Sequence, residues 1–148
     1  MLLLSSPINR FSLVASETLN VGVALGGVAP EHEVSVISAL QAAAALDPDR
    51  YDPIPLYIAK DGTWYTGEAL LDVDRYAELD DLLDDAVPVA LCPTPHGRLE
   101  LLENRDAGAF ERLSRPPRRI PVDVMLLGLH GGPGEDGGIQ GLCETFNV

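Results

Sequence analysis

The amino-acid sequence predicts one α/β domain with a mainly parallel sheet. Two similar stretches carry this prediction. A short apolar run, NVGVALGG from Asn20, ends in two glycines and precedes a helical pattern, and a second run, IPVDVMLLGLHG from Ile120, leads through another glycine-rich loop into a helical pattern. Repetition of strand, glycine turn and helix is typical of neighbouring parallel strands. The length of 148 residues fits a single domain.

The first 19 residues differ from the rest of the chain. They are apolar at the start, but no basic residue precedes the first leucines, and Pro7, Asn9 and Arg10 interrupt the run. This is not the composition of a secretion signal. We therefore expect residues 1–19 to be a loose extension and residues 20–148 to form the domain.

The first helix is predicted over PEHEVSVISALQAAAALD, with Pro30 at its first position, where the missing N–H costs nothing. Glu31 and Glu33 fall in the first turn, where the helix dipole favours anions. Spacings of three and four predict that one face packs on the sheet. That predicted face comprises Val34, Ile37, Gln41, Ala44 and Ala45.

A second strand is predicted at YDPIPLYIAK, followed by a turn through Asp61 and Gly62 into a short strand with Trp64 and Tyr65. This pair is expected to be a small β-hairpin appendage. An acidic helix is predicted from Arg75 to Asp85, where a solvated face explains the charges better than a metal site does.

Two further strands are predicted in VPVALCPTPHGRLELLE, around a Pro/His/Gly turn. Residues 104–119 show no core pattern, and Pro116 and Pro117 would stop a helix, so an irregular connection is expected. The last helix, GIQGLCETF, would carry Ile139, Leu142, Cys143 and Phe146 on one side, with Asp136 or a neighbour as its cap.

Composition restricts the partners. The formal net charge of −13 would repel nucleic acid and anionic lipid, so neither is an expected partner. No stretch approaches the roughly 18 continuous apolar residues of a membrane helix. Cys92 and Cys143 lack a second thiol at metal or redox spacing and are expected to be reduced, as in a cytoplasmic protein.

The first glycine loop, GGVAPEHEVS, combines backbone N–H groups at a helix start with carboxylates. Such N–H groups bind anions, but an adjacent carboxylate would repel a phosphate. A zwitterionic ligand fits better, because Glu31 or Glu33 can receive its ammonium. The alternative is that both glutamates only complement the helix dipole, and the residues alone do not decide between the two.

The second loop, LHGGPGEDGGIQG, places His130 at a strand end and Glu135 and Asp136 before a helix. A histidine paired with a carboxylate can steady a substrate carboxylate, although a structural role is commoner for a lone histidine. The glycines indicate positive φ angles or a close backbone approach. They are Gly131, Gly132, Gly134 and Gly137.

Other chemistries fit the loops less well. A metal site formed by His32, His130, Glu135 and Asp136 lacks the spacing of a helical zinc site. Ser35 and Ser38 are not in a G-x-S-x-G elbow, and the first loop lacks the G-x-G-x-x-G dinucleotide pattern.

Together, GGVAPEHEVSVISA (residues 26–39) and LGLHGGPGEDGGIQGLCE (residues 127–144) closely resemble the two signature stretches of D-alanine:D-alanine ligases. The resemblance extends over residues 20–148, most strongly in these motifs. It implies a Rossmann-like, three-layer domain of the pre-ATP-grasp type. Such ligases phosphorylate one D-alanine with ATP and magnesium, and a second D-alanine then attacks the acyl phosphate to form a peptidoglycan precursor.

The resemblance also implies roles for four residues. Glu31 would receive the ammonium of the first D-alanine, and His130 with Gly131 would lie at the substrate site. Glu135 would orient its neighbours within the polar network. The resemblance further implies a cytoplasmic homodimer, and it places ATP and Mg2+ outside these 148 residues, on ATP-grasp domains, so the chain alone is expected to be inactive.

Two departures from the family pattern matter. Ala29 stands where serine is usual, which would remove a helix cap worth about 1 kcal/mol. The ATP-grasp domains cannot be matched to this sequence. A non-catalytic small-molecule-binding or dimerisation module of the same fold, or part of a D-alanine:D-lactate ligase, therefore remains an alternative.

Overall fold

The computed structural model describes residues 18–95, 97–104 and 117–148. Seven strands lie within them: β1 (Leu19–Gly26), β2 (Tyr51–Ile58), β3 (Trp64–Thr66), β4 (Val87–Pro93), β5 (Leu99–Glu103), β6 (Arg119–Val122) and β7 (Val124–Leu127). The α-helices of the described residues are α1 (His32–Ala44), α2 (Leu79–Asp85) and α3 (Gly138–Phe146). Short 3-10 helices span Glu68–Leu71, Val73–Glu78 and Gly132–Gly134.

The strands form one mixed sheet in the order β6-β5-β4-β3-β2-β1-β7. β1 runs parallel to both β2 and β7, whereas the other four described pairings are antiparallel. The expectation of a mainly parallel sheet is therefore wrong for the sheet as a whole. It holds for β2, β1 and β7. Helix α1 provides the crossover that parallel neighbours such as β1 and β2 require, whereas the turn at Asp61 and Gly62 makes β2 and β3 antiparallel.

The predicted hairpin belongs to this sheet. β2 and β3 are antiparallel, and the turn between them places Asp61 and Gly62 as expected, with Gly62 N–H donating to the Ala59 carbonyl at 2.9 Å. β3 also pairs with β4 through Tyr65 and Pro88. The expectation of a separate appendage is therefore wrong, since both edges of β3 are hydrogen-bonded to neighbouring strands.

The predicted strand after residue 119 is divided at one residue. Asp123 separates β6 from β7, which lie at opposite ends of the strand order. Because Val122 and Val124 are only two residues apart, the sheet must curl until its ends meet. Gly22 in β1 makes room for this closure, since a Cβ there would lie 2.9 Å from Cγ1 of Val122.

The curled sheet separates two apolar clusters. Leu56 and Tyr57 are consecutive in β2 and point to opposite faces, as strand geometry requires. Tyr57 belongs to the cluster that β1, α1 and α2 enclose, and burial raises its pKa. Leu56 belongs to the cluster inside the curl, against which Phe146 of α3 packs.

The predicted buried face of α1 is wrong. Val34 and Ile37 are 54% and 49% exposed, and the other members of that face also point outward. The helix instead buries the opposite side, through His32, Ser35, Val36, Ala39, Leu40 and Ala43. The two polar residues on this side, His32 and Ser35, form hydrogen bonds, so their burial costs little. Since alanine and valine occur on every side of the helix, the side with His32 and Ser35 can be the buried one.

The remaining elements follow the sequence more closely. The acidic segment is helical to Asp85, although Val73–Glu78 is a 3-10 helix. β4 and β5 pair as expected. α3 buries Ile139 and Cys143, and Asp136 accepts the N–H of Gly138 at 2.8 Å, although the N-cap position is Gly137.

The boundaries differ slightly from those expected. β1 starts at Leu19 and β6 at Arg119, so each predicted irregular segment ends one residue earlier than proposed. The rest of the predicted extension (1–17), most of the predicted connection (105–116) and His96 lie outside the described residues. Within the described part of the chain, no helix has the length and apolarity needed to cross a membrane.

Candidate functional site

The two glycine loops lie at one edge of the sheet. β1 and β7 are parallel neighbours, with Ala24 opposite Leu127, so the loops that follow them leave the sheet side by side. The N–H of Gly128 continues the pairing to the carbonyl of Ala24 at 3.0 Å. The carboxyl ends of parallel strands are where such sheets bind ligands.

The loops touch through Glu31 and Gly131. Oε2 of Glu31 lies so close to Gly131 that a Cβ on that glycine would overlap the carboxylate. Gly131 also has φ +68°, a conformation that side chains disfavour. Since Gly131 directly follows His130, the carboxylate of Glu31 lies against the backbone next to that histidine.

The other three glycines singled out in the second loop show either a positive φ angle or a close approach of the backbone, as predicted. Gly132 and Gly137 have positive φ, at 47° and 91°. Gly134 does not, but a Cβ there would lie 2.6 Å from Cβ of Leu129. The carbonyl of Gly134 accepts from Gln140 of α3 at 2.9 Å, which ties the loop to that helix.

His130 lies between two polar side chains. Its Nε2 is 2.8 Å from Oγ of Ser38, and its Nδ1 is 3.9 Å from Oε1 of Glu135. The side chain of His130 is 38% exposed and that of Glu135 is 65% exposed. The imidazole is therefore held on its inner side by α1 and remains accessible to a solute.

The two glutamates at the start of α1 are in different surroundings. Glu33 forms an ion pair with Lys60 at 2.6 Å on the exposed surface, and this hydrogen bond lowers the pKa of Glu33. Glu31 occupies the N-cap position, and no described residue donates a hydrogen bond to its carboxylate. The two carboxylates that the sequence offered therefore differ in that Glu33 is paired with Lys60, whereas Glu31 lies beside the second loop.

His32 has a supporting role that the sequence did not indicate. It is buried, with Nδ1 2.6 Å from the carbonyl of Gly27 and Nε2 3.1 Å from the hydroxyl of Tyr57. A carbonyl can only accept, so Nδ1 carries the proton, and the Tyr57 hydroxyl donates to Nε2 of the neutral ring. The buried imidazole thus fixes Gly27, at the start of the first loop.

Ser35 and Ser38 attach α1 to the second loop. Oγ of Ser35 donates to the carbonyl of Gly128 at 2.8 Å, and Ser38 contacts His130. The sequence analysis excluded Ser35 and Ser38 as nucleophiles and gave them no other role. Their partners are 93 and 92 residues away along the chain, and no local pattern in a single sequence reports such contacts.

Ala29 is not at the N-cap position, contrary to the expectation. It precedes the N-cap Glu31 by two residues, and its carbonyl accepts the N–H of His32 at 3.2 Å. Its methyl group lies beside Gly131. The missing serine hydroxyl therefore concerns the turn before α1 and the contact between the loops.

The loop side chains do not favour a metal or a nucleotide phosphate. Among the described residues, no group of three or more His, Cys, Asp or Glu side chains could hold a metal ion. The nitrogens of His32 are already paired, and the carboxylate of Glu31 at the helix start would repel a phosphate. The arrangement suits a small ligand with separate cationic and anionic groups.

Comparison with known proteins gives one consistent family. The model of the D-ala D-ala ligase N-terminus matches residues 20–148. A D-alanine–D-alanine ligase of Thermosipho melanesiensis is 32% identical over 130 residues, which is 88% of this chain and 33% of that protein. The corresponding ligase of Chlorobium phaeobacteroides is 38% identical over 134 residues, 87% of this chain and 34% of that protein.

Solved structures agree. The D-alanine–D-alanine ligase of Coxiella burnetii matches with a TM-score of 0.67 and 26% identity, covering 89% of this chain and 34% of that one. The VanG D-Ala:D-Ser ligase of Enterococcus faecalis matches with a TM-score of 0.70 and 25% identity, covering 89% and 35%. The chain thus spans about a third of the length of the relatives it matches.

Proposed function

Because this chain belongs to the D-ala D-ala ligase N-terminus family, we propose that it forms the substrate-binding amino-terminal part of an ATP-dependent ligase joining two D-alanines. The contact between Glu31 and Gly131, beside His130, is the observation that carries the proposal. It joins the two signature loops into one exposed site with a carboxylate on one side and an imidazole on the other.

Each residue has a proposed task. Glu31 receives the ammonium of the first D-alanine, and His130 steadies its carboxylate. Gly131 lets the second loop approach the glutamate, and Glu135 orients the imidazole from the solvent side. In the proposed reaction, ATP supplies the phosphoryl group that activates the D-alanine carboxylate as an acyl phosphate, and the amine of the second D-alanine then displaces it.

We assign ATP and Mg2+ to other domains of the same protein, of the ATP-grasp type, since the chain corresponds to only about a third of its relatives' length. The chain on its own is then a binding unit without ligase activity. A cytoplasmic, peptidoglycan-forming role follows from the family and belongs to the same proposal. Neither nucleic acid nor membrane is a proposed partner, given the net charge of −13.

Substitution of Glu31 tests the ammonium contact. Glu31→Gln keeps the size of the side chain and removes its charge. We expect the Kd for D-alanine to rise roughly tenfold or more, because a hydrogen bond to a charged group contributes about 1.5–3 kcal/mol. The measurement is an NMR titration of the 148-residue chain with D-alanine.

Glu33→Gln is the matched control, because Glu33 lies two residues away and already pairs with Lys60. Its affinity should equal that of the unchanged chain. Equal affinity in the Glu31 variant would exclude the ammonium role. Absence of D-alanyl-D-alanine when the whole protein is given D-alanine, ATP and Mg2+ would exclude the ligase.

If the chain binds D-alanine while the whole protein forms no dipeptide, the result supports the binding-module alternative. If the whole protein forms D-alanyl-D-lactate in preference to the dipeptide, the chain is part of a D-alanine:D-lactate ligase instead. The assay should therefore include D-lactate, and also D-serine, since the VanG relative is a D-Ala:D-Ser ligase.

The proposal includes a homodimer, which the outward side of α1 supports. Val34 and Ile37 lie one turn apart in α1 and are about half exposed, and Val28 in the loop before the helix is exposed to a similar extent. Large apolar side chains gathered on a surface mark interaction sites. Two copies of α1 packed along this side would cover these groups.

A charge on this side should separate the subunits. We expect Ile37→Glu to shift a dimer to monomer in sedimentation-velocity measurements, because the carboxylate would be desolvated at the contact. Val73→Glu is the matched control, since Val73 is 48% exposed against 49% for Ile37 but lies on another element. A chain that is monomeric before substitution at every concentration would contradict the homodimer.

A further inference from the structure

Ser38 of α1 contacts the imidazole ring of His130. It lies in the second turn of α1, and its Oγ is 2.8 Å from Nε2 of His130. The same Oγ is 3.3 Å from the carbonyl of Ser35, its helical neighbour. One hydroxyl thus has a ring nitrogen and a backbone carbonyl within reach.

This geometry suits both protonation states of the imidazole. When Nε2 carries a lone pair, the Ser38 hydroxyl can donate to it. When Nε2 carries a proton, the hydroxyl accepts that proton and turns its own towards the carbonyl of Ser35. A hydroxyl can donate and accept at once, whereas a carbonyl can only accept, so a hydroxyl at this position leaves neither state unpaired.

The Nδ1 side of the His130 ring faces a carboxylate instead of a hydroxyl. Nδ1 faces the carboxylate of Glu135 at 3.9 Å, on the solvent side. A negative charge there disfavours a lone pair on Nδ1 and favours a proton. In the neutral ring, the proton therefore belongs on Nδ1, and Nε2 accepts from Ser38.

α1 also holds the backbone that carries this histidine. Ser35 donates to the carbonyl of Gly128, two residues before His130. The two serines are one turn apart on the buried side of the helix, so one fixes the strand end and the other fixes the ring. Since α1 begins directly after Glu31, the same helix sets the positions of both proposed ligand contacts.

We propose that Ser38 is a positioning residue for His130, whose hydroxyl holds Nε2 in both protonation states and keeps the neutral ring in the Nδ1–H form. The role in binding rests on the proposed function of His130, but the tautomer does not. Nδ1 is then the ring nitrogen that presents a proton towards Glu135 and the solvent-side site.

The experiment measures the tautomer by the 15N shifts of the histidine rings at about pH 9, above the ordinary imidazole range. His96→Gln removes the third ring signal, and His32, with Nδ1 bonded to Gly27, supplies an internal Nδ1–H reference. We expect His130 to match His32. An Nε2–H ring in the chain with Ser38 intact overturns the proposal without further variants.

Ser38→Ala should shift the neutral His130 ring towards the Nε2–H form, which isolated imidazoles favour, while leaving His32 unchanged. Ser38→Thr keeps a hydroxyl and should restore the Nδ1–H form. Thr145→Ala is the matched control, since it removes a hydroxyl that also bonds to a carbonyl of its own helix, at 2.8 Å, but belongs to α3. An unchanged His130 spectrum in Ser38→Ala overturns the proposal.

D-alanine titration of the same variants separates this proposal from the proposed function. We expect Ser38→Ala to weaken D-alanine binding several-fold and Ser38→Thr to recover it. If the unsubstituted chain binds no D-alanine, the proposed function fails while the tautomer result still decides the role of Ser38. If D-alanine binds but Ser38→Ala leaves the Kd unchanged, the positioning role in binding is overturned.

Discussion

Gly131 shows how one atom can decide the geometry of this site. Gly131→Ala would place a methyl group on the carboxylate of Glu31 and would also strain a backbone with φ +68°. We expect a loss of about 1–3 kcal/mol in the free energy of unfolding, from the backbone strain. Because Glu31 must also move, D-alanine affinity should fall, as measured by titration of the folded variant.

Gly62→Ala is a control that strains the backbone in the same way as Gly131→Ala but displaces no neighbouring side chain. Gly62 has φ +88°, and a Cβ there would meet nothing within 4 Å. This variant should therefore lose similar stability in chemical denaturation while binding D-alanine normally. Equal affinities in the two variants would show that Gly131 does not control the position of Glu31.

At the residue scale, the loops could be located from the sequence, but the contacts within them could not. The position of Glu31, His130 and Gly131 after parallel strands made them candidates, while their separate roles follow from the resemblance to D-alanine:D-alanine ligases and stay predictions. His32 and Ser38 could not be assigned, because their partners Tyr57 and His130 are 25 and 92 residues away. A side chain that acts through a distant partner leaves no local pattern.

At the scale of elements, α1 shows where periodicity is insufficient. Spacings of three and four fit more than one face of a helix with alanine and valine on every side, and the wrong face was predicted to be buried. The structure buries the opposite face, because His32 and Ser35 find hydrogen-bond partners just after β1, on β2 and just after β7. Buried polar groups cost little when they are paired, so spacing alone did not identify the exposed face.

The close approach of α1 to the end of β7 gives a prediction for this pair of elements. Gly128 lacks a side chain where Ala39 comes nearest, and a Cβ there would lie 2.8 Å from Cα of Ala39 and 3.2 Å from the carbonyl oxygen of Ala24. We expect Gly128→Ala to lower the free energy of unfolding by about 1–3 kcal/mol through overpacking. Urea denaturation followed by Trp64 fluorescence measures this change.

Gly141→Ala is the opposite case. Gly141 lies within α3, and a Cβ there would meet nothing within 4 Å. Alanine should therefore stabilise the helix by about 0.5–1 kcal/mol. If Gly128→Ala proved as stabilising as Gly141→Ala, α1 could not be packed against the backbone of β7 as described.

At the scale of the whole molecule, the curl of the sheet is the feature that the sequence concealed. The run from Ile120 to Gly128 is nearly continuous in apolar residues and predicts a single strand. Only Asp123 interrupts it, and one aspartate is as compatible with an exposed position in a strand as with a break. The parallel pair of β1 and β7, by contrast, was predictable, because a glycine-rich loop and a helix follow each of these two strands.

Asp123, which connects the two end strands β6 and β7, is bound to β1 by a reciprocal pair of hydrogen bonds. Its N–H donates to the carbonyl of Asn20 at 2.9 Å, and its Oδ2 accepts the N–H of Asn20 at 2.9 Å. The chain twists at this residue, since Val122 is buried whereas Val124 is 38% exposed. The carboxylate therefore replaces the carbonyl that a regular ladder would have offered to Asn20.

Removal of the Asp123 carboxylate tests whether its hydrogen bond to Asn20 stabilises the curled sheet. Asp123→Ala should lower the free energy of unfolding by about 0.5–1.5 kcal/mol, because the Asn20 N–H loses its partner and must bond to water. Asp123→Asn keeps an oxygen acceptor and should retain most of the stability. Urea denaturation of the two variants gives the comparison, and amide hydrogen exchange at Asn20 should accelerate only in Asp123→Ala. Equal stability and equal exchange in both variants would mean that the curl is held by the apolar cluster around Leu56 and Val122 alone.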